Sequence, residues 1–509
     1  MLGLGVQKMG PRSPSPHVDP FCFIRFVLNI AVPASLSLSS ASAFRPDPGE
    51  TLFYDTLVVG NTLAAYTATL AILQAGGQVC WVKAGAADVA LTGPNPLEPQ
   101  AGSRVPRRLQ LPHPCRWSRS QQQFWQQEWQ QERLGPGLLE AQRLGDTQAP
   151  SGVTKTQKLR QDLAPYLSNQ QLVLIPAAIP VQVLYSQAQT QRRVYQVVFQ
   201  GADRRFQVHC GLTLDATAQG VLSRLLEKAA GAPLGAAQVI LTEADRYPAR
   251  RRPARGTCFD DTIGVVAAAT DCGPQGARSR PMTVPLRSLI PADTDGFLRV
   301  SQPGSVPALQ SLWQQPSVQW ALGEAAGHIA ALSARAPDGF RSLVHQSQWR
   351  RRVQGQLTHH GIPIFAFDDV DHDDPDFEAI QVLAAAGIVR SMSDRDLHFR
   401  PETPVTRAVA ATALVRLAAP AAEPNGLALQ DIFPTHWAWQ AVTTAISAGL
   451  MPMLEAQRFG PSQVLSRQQL YGLVQAQWPE AKLPAFSPDD RPARRRHLSR
   501  LLYPLLNNG

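Results

Sequence analysis

Apolar and polar positions over residues 52–85 predict a strand, a helix and a second strand. Leu57, Val58 and Val59 form a continuous apolar run that ends at Gly60, which is typical of a buried strand entering a turn. An alanine-rich helical segment follows, and a second apolar run covers residues 79–82. This order is the structural context that a dinucleotide-binding turn requires.

The pattern changes after residue 171 to long, strand-like segments. LVLIPAAIPVQVLY and the alternating stretches on either side of residues 201–203 predict strands joined by a hairpin. A further buried strand ends at Asp215 and leads into a helix that carries Leu222 and Leu226. Residues 318–333 predict a helix of small residues suited to close packing on a sheet or a ligand. His328 of this helix is expected on its surface, with a position near a bound ligand as the alternative.

The last third of the chain contains an internal repeat. Six landmarks recur 60 or 62 residues later: Asp369, Ile380, Gly387, Phe399, Pro401 and Arg407 return as Asp431, Val442, Gly449, Phe459, Pro461 and Arg467. Each copy predicts a helix, a glycine-containing turn, an F-x-P loop and a second helix capped by Thr406 or Ser466. Residues 489–506 are expected to form a third, truncated copy of the second helix.

The length and net charge of the chain limit the number of domains and the kinds of partner to expect. A chain of 509 residues exceeds one ordinary core, so two or three domains are expected. The net charge of +9 suits an anionic membrane or wall polymer, while the absence of any nucleic-acid-binding motif argues against DNA or RNA partners. Basic residues, an apolar run and the A-x-A sequence at residues 41–43 predict a signal peptide over residues 1–43. After it, no apolar run reaches the length of a transmembrane helix.

Metal and nucleophile motifs are not apparent in the sequence. The histidines fit no G-x-S-x-G or H-E-x-x-H pattern. The aspartates at 368, 369, 371, 373 and 374 lack the spacing of an EF-hand loop, so a solvated segment is favoured over a Ca²⁺ site.

The repeats resemble S-layer homology modules over about residues 365–506. The resemblance rests on the D-V/I opening, the His436-Trp437 pair, the glycine turn, the F-x-P loop and the T/S-R pair. It implies binding to peptidoglycan or a wall-attached polymer, with Trp437, Arg407 and Arg467 as candidate contacts. For the two arginines, bracing of the helices is an equal alternative. Val409 and Gln469 stand where the family usually has an acid.

Several separated segments between residues 52 and 335 resemble, in family order, FAD-dependent oxidoreductases of the glutathione-reductase-like type. They begin YDTLVVGN, LTLDATAQG, FDDTIGVV, VPLRSLIP and VQWALGEAAG. The resemblance implies FAD as cofactor, with these candidate contacts: Gly60, Thr62, Ala65, Asp215, Gly323 and Gly327. Lys83 stands where the family has an acid that binds the ribose. A lysine offers no hydrogen-bond acceptor, which argues against FAD binding.

Together these features predict a Rossmann-like α/β FAD-binding domain with an attached β-rich section, followed by an all-α repeat domain. The expected boundaries are 1–43 for the signal peptide, 50–335 for the oxidoreductase-like domain, 336–364 for a connection and 365–506 for the repeats. The main hypothesis is an exported, wall-associated protein in the periplasm or envelope, whose front domain has reduced or no catalytic activity. No catalytic residue is assigned. The alternatives are an active FAD-dependent oxidoreductase at the envelope and a purely structural envelope protein.

Overall fold

A seven-stranded mixed sheet organises the front part of the protein in the computed structural model. Its strands are β1 (Thr51–Val59), β2 (Val79–Ala84), β3 (Leu172–Ala188), β4 (Gln191–Gln200), β5 (Arg205–Asp215), β8 (Thr294–Asp295) and β9 (Phe297–Arg299). They lie in the order β8-β4-β3-β2-β1-β5-β9, and β4 also pairs with β5. A separate two-stranded sheet contains β6 (Thr262–Val266) and β7 (Met282–Pro285).

Parallel pairing joins the strands that run through the centre of this sheet. β3, β2, β1, β5 and β9 pair parallel in that order. The second half of β3, from Ile179 onward, and the first part of β5, up to His209, pair antiparallel with β4. Gln200 lies opposite Arg205, so the hairpin predicted around residues 201–203 is confirmed. The result is a mixed α/β sheet with a parallel, Rossmann-like centre, as the sequence predicted.

Helices cover this sheet and continue into the repeats. The front helices are α1 (Leu63–Gln74), α2 (Lys155–Ser168), α3 (Val221–Ala230), α4 (Pro316–Ser333), α5 (Phe340–His345) and α6 (Ser347–His359). The apolar core between α1, α4 and the sheet extends through α6 to Val382 and Ala385 of the first repeat. A second core, with Cys80 and Cys210, fills the opposite face of the sheet beneath α3.

The helical repeats pack around a core of their own. Their helices are α7 (Phe377–Ala385), α8 (Arg407–Ala418), α9 (Trp439–Ser447), α10 (Arg467–Gln477) and α11 (Arg495–Leu502). Phe399 and Phe459 of the two F-x-P loops are fully buried in this core, together with Leu501 and Leu502 of α11. The third, truncated copy expected at residues 489–506 therefore forms a helix that completes the core.

The described part of the chain belongs to a unit that spans Ala43–Gly509. The structure describes residues 47, 49–84, 117–123, 155–188, 191–202, 204–234, 262–266, 282–303, 313, 316–391, 397–421, 427–484 and 487–507. The signal peptide predicted over residues 1–43 lies outside these ranges. Within them, none of the helices has the length and apolarity needed to cross a membrane.

Candidate functional site

The turn between β1 and α1 is held by contacts within the protein. Gly60 has φ of +147°, and a β-carbon there would lie 2.2 Å from the carbonyl oxygen of Ala216. The glycine is therefore required by the close approach of the segment that follows β5. Thr62 caps α1: its hydroxyl accepts a hydrogen bond from the backbone N–H of Ala65 (3.1 Å) and donates one to the carbonyl of Ala216 (2.7 Å).

Asp215, at the end of β5, braces the turn into α3. One carboxylate oxygen accepts hydrogen bonds from the hydroxyl (2.6 Å) and backbone N–H (3.2 Å) of Thr217. The other accepts from the hydroxyl (2.7 Å) and backbone N–H (2.8 Å) of Ser223. Burial raises the pKa of Asp215, and these hydrogen bonds oppose the rise. Both oxygens of the carboxylate are thus occupied by intramolecular partners.

Lys83 lies near the end of β2, where the family resemblance leads one to expect an acid. Its ammonium group stands 5.3 Å from the ring centroid of Trp81, within the range of a cation–π contact. The indole N–H of Trp81 donates to the carbonyl of Gly60 (2.8 Å). The end of β2 thus presents a cation and an aromatic ring. Neither side chain has a carboxylate that could accept a hydrogen bond from a ribose hydroxyl.

Gly323 and Gly327 lie where α4 crosses α1. A β-carbon at Gly323 would stand 2.1 Å from the hydroxyl oxygen of Thr67 and 2.3 Å from the carbonyl oxygen of Ala64. At Gly327 it would stand 2.5 Å from the carbonyl oxygen of Ala68. Helix packing accounts for both glycines, and their predicted contact with a cofactor stays a prediction.

These contacts test whether the described residues fit FAD. The predicted contact residues lie at the carboxyl end of β1 and β5 or along the α1–α4 crossing. Of the polar ones, Thr62 and Asp215 have their side-chain oxygens bonded within the protein. Lys83 supplies no acceptor. Among the predicted contact positions that the structure describes, none therefore presents a carboxylate at the end of β2 to accept from a ribose.

A buried polar cluster lies on another face of α4, and no sequence motif predicted it. Glu324 accepts a hydrogen bond from the hydroxyl of Ser120 (2.7 Å), and the indole N–H of Trp320 donates to the same hydroxyl (2.9 Å). Burial raises the pKa of Glu324 to about 6. His328 is buried and stacks on His360 with ring centroids 4.1 Å apart. The prediction that His328 lies on the helix surface is therefore wrong, because helical residues 119–123 and the end of α6 cover this face.

The repeats meet around a triangle of backbone hydrogen bonds. The N–H of Val405 donates to the carbonyl of Ala493, that of Ala493 to Leu465, and that of Leu465 back to Val405, at 2.8–2.9 Å. Val405, Leu465 and Ala493 lie just before α8, α10 and α11, respectively. Three equivalent segments thus close into a ring with approximate threefold symmetry, and the short third copy supplies one side of it.

The arginines that begin these helices brace the ring. Arg407 is 5% exposed, its Nε–H donates to the carbonyl of Phe459 (2.6 Å), and its guanidinium lies 4.7 Å from that ring. Arg495 makes the equivalent contacts with Phe399, at 2.8 and 4.4 Å. Arg467 is less buried and pairs with Asp489 (3.4 Å). The two roles expected for Arg407 are contact with a wall ligand and bracing of the helices, and these contacts support bracing.

The acid that opens each repeat has a similar structural role. Asp369 accepts hydrogen bonds from the backbone N–H groups of Phe399 (2.7 Å) and Arg400 (2.6 Å). Asp431 does the same for the F-x-P loop of the second copy. Thr406 and Ser466 cap their helices as predicted, and Gln469 completes a capping box with Ser466. Gln469, which stands where S-layer homology modules usually have an acid, thus still caps its helix.

Trp437 and Phe433 form the exposed aromatic part of the second repeat. Trp437 is 66% exposed and Phe433 64% exposed. The ring of His436 lies 5.5 Å from that of Trp437, and its Nδ1 accepts a hydrogen bond from the backbone N–H of Ala438 (3.1 Å). The structure therefore holds His436 in the turn and leaves the indole of Trp437 open to solvent.

Several proteins of known structure are similar to part of this chain, at low identity. A geranylgeranyl bacteriochlorophyll reductase-like protein from Thermoplasma acidophilum is 11% identical with a TM-score of 0.29, covering 79% of this chain and 98% of its own. A flavoprotein/dehydrogenase from Cytophaga hutchinsonii is 14% identical with a TM-score of 0.26, covering 66% and 93%. A flavin-dependent brominase is 12% identical with a TM-score of 0.28, covering 60% and 85%. Scores this low transfer no activity to this chain.

A comparison with curated proteins gives no match. The family model described as "S-layer homology domain" matches residues 366–411 and 430–470. These ranges coincide with the two complete repeats, and the short third copy lies beyond them. The C-terminal region of this chain therefore carries S-layer homology domains, which indicates association with the cell surface.

Proposed function

We propose that this protein is held at the cell envelope by its repeats, which bind peptidoglycan or a polymer attached to it. The observation that carries the proposal is the open indole of Trp437 in a repeat that matches the S-layer homology domain. An exposed indole on a rigid helical scaffold suits packing against a sugar ring. The signal peptide predicted at residues 1–43 would deliver the chain to the envelope.

Arg467 is the arginine that we assign to the wall ligand. Its side chain is 18% exposed, and an anionic group of the ligand would compete with Asp489 (3.4 Å) for its guanidinium. Arg407 has the equivalent sequence position but is enclosed by Phe459 and the loop before it. A polymer with carboxylate or phosphate groups would therefore meet Arg467 and Trp437, while Arg407 supports the ring.

Sedimentation with purified cell walls tests this proposal. The full chain is incubated with intact sacculi and with sacculi stripped of their attached polymers, and the bound fraction is measured. We expect Trp437→Ala to weaken binding about tenfold, equivalent to about 1.4 kcal/mol. Phe53→Ala is the matched control, because Phe53 is a similarly exposed aromatic residue on the sheet. Equal losses in both variants, or no binding by the unchanged protein, would refute the proposal.

For the front domain we propose reduced or no catalytic activity. The supporting observations are the internal hydrogen bonds of Thr62 and Asp215 and the cation at Lys83. The competing proposal, an active FAD-dependent oxidoreductase, is favoured by the parallel strands that place the start of α1 at the carboxyl end of β1.

An absorption spectrum separates the two proposals for the front domain. Purified protein is measured before and after incubation with FAD followed by desalting. We expect no flavin band to remain in folded protein. A stoichiometric band that survives desalting would support the oxidoreductase, and Lys83→Glu would then be expected to tighten binding by restoring an acceptor.

A further inference from the structure

The structure divides the acidic run before α7 into groups with different roles. Asp369 holds the backbone N–H groups of Phe399 and Arg400, as described above. Asp374 accepts from the backbone N–H of Asp376 (2.8 Å) and pairs with Arg496 of α11 (3.1 Å). Both oxygens of each carboxylate are engaged in holding the fold, so neither residue is a candidate for a ligand.

Asp371, His372 and Asp373 form a second group, in which one oxygen of Asp371 accepts a hydrogen bond from the backbone N–H of Asp373 (3.0 Å). One potential ligand atom from each residue lies within 4.8 Å of the others. The Nδ1 atom of His372 is 3.4 Å from a carboxylate oxygen of Asp371, and its Nε2 atom is 3.7 Å from one of Asp373. The imidazole is therefore directed at both carboxylates.

The burial of His372 is an independent sign that this group binds something. Its side chain is only 7% exposed, although the side chains of Asp371 and Asp373 are 49% and 74% exposed. Among the described residues, its Nδ1 atom is buried without a hydrogen-bond partner. A buried ring nitrogen in that state is unfavourable unless a proton shared with the carboxylates, or a cation, satisfies it.

The donor set and its surroundings indicate the class of cation. One imidazole with two carboxylates suits Zn²⁺ and similar divalent transition metals, whereas Ca²⁺ and Mg²⁺ prefer oxygen ligands alone. Arg119 pairs with the other oxygen of Asp373 (3.3 Å) and donates to the carbonyl of His372 (3.2 Å). It is thus placed to orient Asp373 from outside the ligand shell.

We propose that Asp371, His372 and Asp373 form a binding site for a divalent transition metal of the Zn²⁺ class, at the entrance to the first repeat. Three protein ligands leave at least one position for water, which is an open coordination sphere. The contacts of Arg119 link the site to helical residues 119–123, which also cover Glu324 of α4. A bound cation would therefore stiffen the contact between α4 and the repeats.

Metal binding by the full, untagged chain tests the site. The protein is stripped with a chelator, and uptake of Zn²⁺ is measured by equilibrium dialysis with elemental analysis; Co²⁺ absorption reports the ligand type. We expect one Zn²⁺ ion that depends on His372, with at least tenfold weaker binding in His372→Gln. His359→Gln is the control, because His359 is exposed nearby and lies outside the group.

Asp373→Asn provides a second variant that keeps the size of the side chain. It should also weaken Zn²⁺ binding at least tenfold, with a circular dichroism spectrum like that of the unchanged protein. Two results would overturn the proposal. One is absence of Zn²⁺ uptake by the unchanged chain, which would leave the shared proton as the partner of His372. The other is equal uptake by the unchanged chain and His372→Gln.

Discussion

At the scale of single residues, the repeats use different side chains for the same task. The backbone N–H of Ser466 donates to the side chain of Gln469 (2.9 Å), and that of Arg494 donates to Nδ1 of His497 (3.0 Å). Only a neutral imidazole can accept this bond. Burial, with the positive charges of Arg467, Arg500 and Arg494, lowers the pKa of His497 to about 4.

This lowered pKa makes stability depend on pH in a defined window. Because the pKa of a histidine in the unfolded chain is about 6.5, the unfolded state takes up a proton first as the pH falls. The contribution of His497 to stability is thus complete above pH 6.5 and is lost as the pH falls towards 4. We expect His497→Gln, which copies the cap of the second repeat, to unfold with a smaller pH dependence over this window. Urea unfolding at several pH values gives the free energy of unfolding as a function of pH. The same pH dependence in both proteins would contradict the assignment.

At the scale of elements, the contact between α1 and α4 depends on glycines that remove side-chain bulk. Gly323 faces Thr67 and Ala64, and Gly327 faces Ala68 and Ala71. Ten residues of α1 are buried, which agrees with a helix enclosed between the sheet and α4. Small residues on both helices thus bring the backbones together.

Gly323→Ala should therefore destabilise the protein, although alanine is the better helix former. The added carbon would overlap the backbone of α1, and overpacking of this kind costs about 1–3 kcal/mol. Gly472→Ala is the matched control: Gly472 lies in α10 with no atom near the added carbon, so we expect a gain of about 0.5–1 kcal/mol. Thermal unfolding compares the two, and equal shifts would show that α1 and α4 are not in close contact.

At the scale of the whole molecule, the short third copy closes the repeat region. α11 contributes Leu498, Leu501 and Leu502 to the core. Ion pairs join its Arg496 and Arg500 to Asp376 of the first repeat (3.0 and 2.7 Å). The first and second repeats are therefore held together by a segment that lies after both of them in sequence.

A chain ending at residue 488 should lose protection in both complete repeats. It lacks two sides of the backbone triangle and four buried leucines, each worth about 1.5–3 kcal/mol of burial. Amide hydrogen exchange in α8 and α10 is the measurement, with a chain ending at residue 507 as control. Unchanged protection in the shorter chain would show that two copies are stable alone.

The sequence by itself determined the elements and the repeat. The strands, α1, α4 and the helix caps at Thr406 and Ser466 follow from periodicity, glycine positions and capping residues, all of which act over a few residues. The family resemblance predicted the Rossmann-like fold, and the repeat predicted the truncated third copy. The structure confirms these predictions, because short-range signals and tertiary packing favour the same conformation in these segments.

Only the tertiary structure decided what the candidate site residues contact. Thr62 bonds a carbonyl 154 residues away, and Arg495 bonds one 96 residues away. No local pattern encodes such partners, so the sequence could not show that Asp215 is fully hydrogen-bonded, that His328 is buried or that Arg407 braces the ring. For the same reason, the sequence could not show which aspartates of the acidic run hold the fold and which lie beside His372. Residue type fixes which bonds a side chain can make, and the fold decides which partner takes them.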